Sequence, residues 1–478
     1  MKLQKSLTQN TDYIKSVLSS DDVTFLSLKI KETDAVLIFV NDLIDKNNVG
    51  ELILRPMQEF SGAIEEKTLF QAFHSPEKKC VYTADEVVTD TLLGNALLLV
   101  DGLELAFSFG LKFFEKRAIS EPPTSTVIKG PREGFVECLP VNVSLMRRRL
   151  KSPDLKFEYL TVGKYSKTPI ALCYISTITD IKLVKNIKEK LKKIDIDAVL
   201  DSSYVSKLLV ERKTSLFKQV GNTEKPDILA AKILEGRVAI FVDGSPIALS
   251  VPYLLVEDFQ SASDYYNSPY SATAARSIRV LSVLFALFLP ALYVAAELFH
   301  LQLIPLSFLL TIVNSIKGIP LSPSYEMFFT LMIFEILNEA SVRMPKYVGM
   351  VVSIVGGLVL GETAVTAGII SAPTLMIVAL SGICLYTVPE LEQTFSVLRI
   401  LFLIIAGATG LYGMLLAISA LFIYLISFES FGSPVAAPFS PLIKEDLKDG
   451  FYKGFIQEMT YRPKSIKTTN KKRLGGQD

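Results

Sequence analysis

Acidic side chains stand inside a strongly apolar stretch that begins near Tyr325. Glu335 and Glu339 are four residues apart, and Arg343 follows four residues later. If the segment is helical, this spacing places the three side chains along one face. Each charge at the middle of a membrane helix costs about 2.5 to 3.5 kcal/mol, whereas each Leu, Ile or Phe returns only about 0.3 to 0.6 kcal/mol. The charged face therefore has to meet other protein or a water-filled path.

Two interpretations of this charged face stay open. The side chains form an internal ion pair that holds a helical bundle together, or they lie beside a permeation path, because ionisable residues within membrane segments commonly mark such paths. Glu362, directly after Gly361, is a further carboxylate in an apolar stretch. We treat all four as candidate intramembrane polar residues: Glu335, Glu339, Arg343 and Glu362.

A stripe of small residues follows in the same region, at i, i+4, i+7 and i+11. Its members are Gly357, Gly361, Ala364 and Gly368. Small residues at helical spacing permit close approach of helices in lipid. Helix packing is therefore the role that the pattern predicts for them.

The elements that must position these residues follow from the distribution of charge and hydropathy. The chain has 478 residues and a formal net charge of +1. Residues 1–270 mix apolar and charged positions, as in a soluble α/β protein, whereas residues 280–427 are mostly apolar. The sequence predicts a cytoplasmic α/β domain (1–270), a helical membrane domain (271–430) and a cytoplasmic tail (431–478). A net charge near zero gives no reason to expect nucleic-acid binding.

The residue types that common catalytic and metal centres require are scarce. The only histidines are His74 and His300, and the four cysteines have no metal-type spacing. A zinc site or a histidine-based triad is therefore not expected. The soluble part contains neither a phosphate-binding loop nor a GxGxxG motif that opens a helix. We expect no metal and no cofactor.

The soluble part contains a repeated pattern of strand, Asp-Gly turn and strand. The turns are Asp101-Gly102 and Asp243-Gly244, and each follows a run of apolar residues. Asp-Gly between two such runs is a strong hairpin signal. The repeat predicts two similar α/β subdomains, at about 20–115 and 150–255, joined by a loop rich in Pro and Gly at 121–137. The two aspartates could also be a catalytic pair, but the turn chemistry accounts for both.

Four apolar stretches precede or follow the charged region. Val280–Phe299 is long enough to cross a bilayer, Leu303–Ile316 and Leu375–Val388 are short, and Ile400–Ser427 is longer than a single crossing requires. We expect four crossings if the short stretches are interfacial or re-entrant, and six if they cross. No secretory signal opens the sequence, and basic residues flank the membrane part, so both termini are expected in the cytoplasm.

Six stretches, in chain order, resemble the A subunit of GerA-type spore germinant receptors. They are VIKGPREGFVE at 127–137, NVSLMRRRLKSPDL at 142–155, LEGRVAIFVDGSPIALSVP at 234–252, FQSASDYY at 259–266, VGMVVSIVGGLVLGETAVTAGI at 348–369 and FGSPVAAPFSP at 431–441. The family signature includes Gly130, Pro131, Arg132, Glu133 and Gly134. Val136 and Val141 stand where the family usually has threonine.

This resemblance implies a subunit of a complex in the inner membrane of a bacterial endospore. Its partners would be a transporter-like B subunit and a lipoprotein C subunit. Nutrient binding to such a complex triggers germination and early ion release, and the A subunit is thought to form homo-oligomers and to contribute the ion path. A membrane-tethered scaffold that assembles the receptor without forming the pore is the alternative.

Overall fold

The structure, a computed structural model, describes residues 1–113, 129–345 and 361–474. The chain forms two compact units. One consists of Met1–Leu254 with Glu429–Ser433 and Ile456–Asp478, and the other of Leu255–Phe428 with Pro434–Phe455. The first is an α/β unit and the second is helical, which confirms the predicted fold class. The predicted domain boundaries stay a prediction, and the residues expected in a separate tail are divided between the two units.

The first α/β subdomain is a five-stranded antiparallel sheet in the order β1-β2-β4-β5-β3. Its strands are β1 Val23–Ile30, β2 Thr33–Val40, β3 Lys78–Val81, β4 Ala96–Val100 and β5 Ala106–Phe109. Its helices are α1 Leu7–Val17, α2 Lys46–Val49, which continues through the π turn Gly50–Leu54 into α3 Arg55–Glu59, and then α4 Glu66–Ala72 and α5 Ala84–Leu92.

The second subdomain repeats this topology with strand order β6-β7-β9-β10-β8. Its strands are β6 Leu155–Val162, β7 Thr168–Ile175, β8 Gly221–Thr223, β9 Val238–Val242 and β10 Ala248–Val251. Its helices are α6 Leu139–Arg149, α7 Ile181–Lys192, α8 Ser202–Leu209 and α9 Pro226–Leu234. The equivalent strand order confirms that the two subdomains are similar.

Central strands of the α/β unit are buried on both faces. Every residue of β4 and β9 is buried. Alternate side chains of a strand point to opposite faces, and the two faces of the first sheet accordingly have separate cores. Ile38 and Leu97 belong to one core, whereas Leu37 and Leu98 belong to the other. This two-sided burial explains why the strands appear in the sequence as continuous apolar runs.

The helical unit is built around the long helix Pro269–Phe299, which packs against most of the other helices. Its helices are α10 Ala262–Tyr266, α11 Pro269–Phe299, α12 Leu306–Ile316, α13 Pro323–Arg343, α14 Gly361–Thr366, α15 Ala372–Leu385 and α16 Glu392–Ile426. Val294 of α11, Leu331 of α13 and Val378 of α15 meet in its core. Two short strands, β11 Glu429–Ser430 and β12 Ser433–Pro434, follow α16.

Among the described residues, two helical segments are long and apolar enough to cross a membrane. They are Pro269–Phe299 and Pro389–Ile426. Leu306–Ile316 and Ala372–Leu385 are apolar but shorter. The number of crossings therefore stays a prediction.

Candidate functional site: charged clusters of the helical unit

Glu335 forms a buried ion pair with an arginine that the sequence analysis did not select. Its Oε1 accepts a hydrogen bond from Arg399 Nη2 at 2.5 Å, and the Arg399 side chain is only 1% exposed. Arg399 lies on α16, next to the apolar run that starts at Ile400. Its position directly before this apolar run is the sequence signal that could have identified Arg399 as a candidate.

Further contacts hold the Arg399 guanidinium in place. Its Nη1 donates to Ser381 Oγ at 2.8 Å, and that hydroxyl donates to the carbonyl of Ala286 at 2.9 Å. The guanidinium also lies 5.7 Å from the centre of the Phe334 ring. One cation thereby connects α11, α13, α15 and α16.

A second polar contact lies one turn along α13 from Glu335. Asn338 Nδ2 donates to Glu392 Oε1 at 2.8 Å, and Tyr386 Oη donates to Asn338 Oδ1 at 2.6 Å. These bonds join α13 to the start of α16 and the end of α15. The polar side of α13 is therefore built from Glu335 and Asn338.

The other charged residues selected from the sequence lie on the outside of the unit. Glu339 and Arg343 pair with each other at 2.5 Å, and their side chains are 65% and 77% exposed. Glu362 is exposed as well. The expected helix forms, but its three charged side chains do not form a single cluster. Glu335 pairs with Arg399, whereas Glu339 pairs with Arg343.

The stripe of small residues is only partly described. Gly357 lies outside the described residues, and Ala364 is half-buried. A Cβ at Gly361 would lie 3.2 Å from the Leu375 side chain, so this glycine allows a close approach. Gly368 follows the end of α14 with φ of +67° and has no neighbour within 4 Å. Its conformation, rather than packing, requires glycine there.

Ion pairs also surround the start of α11. Arg276 donates to Asp264 and Asp449, both at 3.1 Å, and Arg279 donates to Asp264 at 2.7 Å. Burial raises the pKa of Asp264, but hydrogen bonds from Arg279 and from the Ser261 backbone outweigh it and hold the pKa below its usual range. Asp449 lies in the predicted tail (431–478), so its ion pair with Arg276 shows that part of this tail belongs to the helical unit.

Two more carboxylates of the helical unit, Glu297 and Glu326, are buried and were also missed by the sequence analysis. Glu297 stands near the end of an apolar run and Glu326 in the first turn of α13, so both were visible as charges at the ends of apolar segments.

The signature stretch of the α/β unit contacts the basic cluster that follows it. Glu133 accepts hydrogen bonds from Arg148 and, at 2.9 Å, from Arg149. Gly134 is buried, whereas Gly130 and Arg132 are exposed and Pro131 is half-buried. The cluster at 147–149 is therefore engaged within its own unit.

Both Asp-Gly turns have the same structural role. Asp101 Oδ1 accepts a hydrogen bond from Leu7 N at 3.0 Å, and Asp243 Oδ1 accepts one from Leu139 N at 3.1 Å. Each carboxylate thus holds the first residue of a helix, α1 or α6. The turns account for both aspartates without a catalytic role. Within the described residues, no group of three or more His, Cys, Asp or Glu side chains has the arrangement of a metal site.

Comparison with known proteins connects these features to a family. The family model described as "Bacillus/Clostridium GerA spore germination protein" matches residues 10–465. "Spore germination protein KA" of Bacillus subtilis (strain 168) is 38% identical, over 99% of this chain and 89% of its own. "Uncharacterized membrane protein YfkQ" of the same organism is 35% identical, over 89% of this chain and 84% of its own.

A solved structure is also similar. It is the N-terminal domain of the A subunit of the Bacillus megaterium spore germinant receptor GerK3, with 27% identity and a TM-score of 0.41, over 53% of this chain and 98% of that one. The family match and the two long apolar helices indicate association with a membrane. This chain belongs to the GerA family of spore germination proteins and has its role in germination.

Proposed function

We propose that this chain is the A subunit of a nutrient germinant receptor in the inner membrane of a bacterial endospore. It acts there as a multi-pass homo-oligomer that contributes an ion-conducting path, with both termini in the cytoplasm. A transporter-like B subunit and a lipoprotein C subunit complete the receptor. Family membership and the two long apolar helices support the membrane location. The proposal includes no catalytic step and no cofactor.

The observation that carries the ion path is the exposed charge of the helical unit. Glu339 and Arg343 are mostly exposed, and Glu362 is exposed, although the helices around them are apolar. On an insertion scale a charge costs about 2.5 to 3.5 kcal/mol at the centre of a membrane helix, and less near a helix end, where a long side chain reaches the interface. A second copy of the chain, or a hydrated path between copies, removes this cost. An assembly with a polar interior is therefore favoured.

Spores that carry Glu339→Gln in the intact receptor test the proposal. We expect slower cation release after nutrient addition, because a charge beside the path is removed, while the amount of receptor stays normal. Glu51→Gln is a matched control, because Glu51 and Arg55 form a similarly exposed i,i+4 pair in the α/β unit. Normal cation release from Glu339→Gln spores with normally assembled receptor would contradict the ion path.

The scaffold function has a separate observation in its favour. Glu335 pairs with the buried Arg399, and its side chain is only 20% exposed. A scaffold requires only this stabilising role. It predicts that Glu335→Gln reduces receptor abundance and that Glu339→Gln leaves cation release unchanged, so the same spores distinguish the two functions.

A further inference from the structure

Glu297 and Glu326 are two buried carboxylates that take part in neither the Glu335–Arg399 pair nor the Glu339–Arg343 pair. Glu297 on α11 is 8% exposed and Glu326 on α13 is 2% exposed. The two are close enough to repel each other electrostatically. Neither has a basic partner in the parts of the chain that the structure describes. An ionised carboxylate without a partner is costly to bury, and a bound cation is one way to remove this cost.

Glu326 is already stabilised as an anion. Its Oε1 accepts hydrogen bonds from Ser371 N at 2.7 Å and from Ser371 Oγ at 2.6 Å. Ser371 is the N-cap of α15, where the helix dipole favours negative charge. Ser371 Oγ also lies 2.9 Å from Thr374 Oγ1. These contacts add hydroxyl oxygens to the neighbourhood of Glu326.

Glu297 is not stabilised in this way. Its Oε1 is buried and has no hydrogen-bond partner at normal distance among the described residues; the Tyr293 hydroxyl, one turn earlier on α11, is near enough only for a long contact with it. Tyr293 is also 8% exposed, and it lies within electrostatic reach of both glutamates. Two buried oxygens that can bind a cation thus lie near each other and within electrostatic range of Glu326.

We infer that Glu297, Glu326 and Tyr293 bind a hard metal cation inside the helical unit. The ligand set is oxygen only, which is what Ca²⁺ and Mg²⁺ prefer. When both carboxylates are ionised they carry a charge of about −2, which a divalent ion balances. The Ser371 and Thr374 hydroxyls or water complete the coordination. The site lies within a single chain, so it does not depend on ion conduction, and a scaffold would hold it equally well.

Thermal unfolding of the purified full-length chain in detergent tests the site after treatment with a chelator. We expect CaCl₂ or MgCl₂ to raise the unfolding midpoint with the logarithm of concentration, because the bound ion stabilises the folded state. NaCl and KCl at matched ionic strength have no such effect. Glu297→Gln removes the rise, and its midpoint without metal is at least that of the chelator-treated wild type, because an unpaired buried charge is lost.

Glu335→Gln is the control, because it removes a partly buried carboxylate of the same unit that has a basic partner. Its midpoint falls, but the rise with divalent ions is retained. An equal rise in Glu297→Gln or an equal effect of NaCl would overturn the inference. If Glu297→Gln does not fold, equilibrium dialysis of wild type against radioactive calcium decides: about one ion bound per chain supports the site, and none overturns it.

Discussion

Arg399 Nη2 donates to Glu335 Oε1 at 2.5 Å, although the two residues lie 64 positions apart in the chain. The arginine side chain is 1% exposed and that of the glutamate 20%. A pair so well shielded from solvent cannot lose one partner without leaving a buried charge uncompensated. The contact therefore couples the conformations of α13 and α16.

Replacement of one member of this pair should destabilise the helical unit strongly. We expect Arg399→Ala to lower the free energy of unfolding by about 3 to 5 kcal/mol, since the mostly buried Glu335 carboxylate then loses its cation. Thermal unfolding of the full chain in detergent measures the change. The double variant Glu335→Gln/Arg399→Ala should lose less than the sum of the two single losses. Additive losses would show that the pair does not interact energetically.

A second buried pair joins the two α/β subdomains. Arg147 on α6 donates to Asp22 through Nε at 2.7 Å and through Nη2 at 2.8 Å, and both side chains are at most 1% exposed. We expect Asp22→Asn to lower the free energy of unfolding by about 3 to 5 kcal/mol in a urea titration. The exposed pair of Arg55 is the control, and Arg55→Ala should leave the urea midpoint unchanged. A small effect of Asp22→Asn would mean that the subdomains associate without the pair.

Asp42 should give the α/β unit an unusual pH dependence. Burial and the neighbouring Asp22 charge raise its pKa from 3.8 to about 6, against the opposing effects of Lys46 and the Tyr159 hydrogen bond. The folded state therefore binds this proton more tightly than the unfolded state. Its contribution to stability is present in full below the unfolded pKa and is lost as the pH rises through about 6.

Asp42→Asn should remove this loss. The variant should be more stable than wild type at pH 7, and the difference should disappear toward pH 4, where Asp42 is protonated. Urea titrations give the free energy of unfolding of both proteins across that pH range. Subtracting the wild-type free energy at each pH separates the effect of Asp42 from that of the other carboxylates. A difference that is constant with pH would show that Asp42 has an ordinary pKa.

Gly410 interrupts α16 with φ of +64° and ψ of −154°. A Cβ at this position would lie 2.9 Å from Phe299 Cγ and Cδ2 on α11. We expect Gly410→Ala to destabilise the helical unit by about 1 to 3 kcal/mol from backbone strain alone. Thermal unfolding in detergent provides the measurement.

Gly50 is the matched control for this substitution. It has helical φ and ψ, and no atom lies within 4 Å of its ideal Cβ position. Gly50→Ala should leave the stability unchanged or raise it by up to about 1 kcal/mol. Equal effects of the two substitutions would indicate that α16 can straighten at Gly410.

The sequence alone determined the division into an α/β part and a helical part, because apolar periodicity and charge distribution are local properties of the chain. It also determined the duplication, since the pattern of strand, Asp-Gly turn and strand occurs twice, and glycine is the residue that adopts positive φ in each turn. Both Gly102 and Gly244 have φ of +85°. The likeness to the GerA family likewise depends on sequence alone, and the family match confirms it.

Only the tertiary structure decided which charges meet. The sequence placed Glu335, Glu339 and Arg343 on one helix, but pairing depends on what the neighbouring helices present. Arg399, which pairs with Glu335, lies on α16. Ser371, which donates hydrogen bonds to Glu326, lies at the start of α15. Such long-range contacts have no local pattern, because a helix face is selected by packing against distant segments. For this reason the burial of Glu297 and Glu326 became evident only in the folded chain.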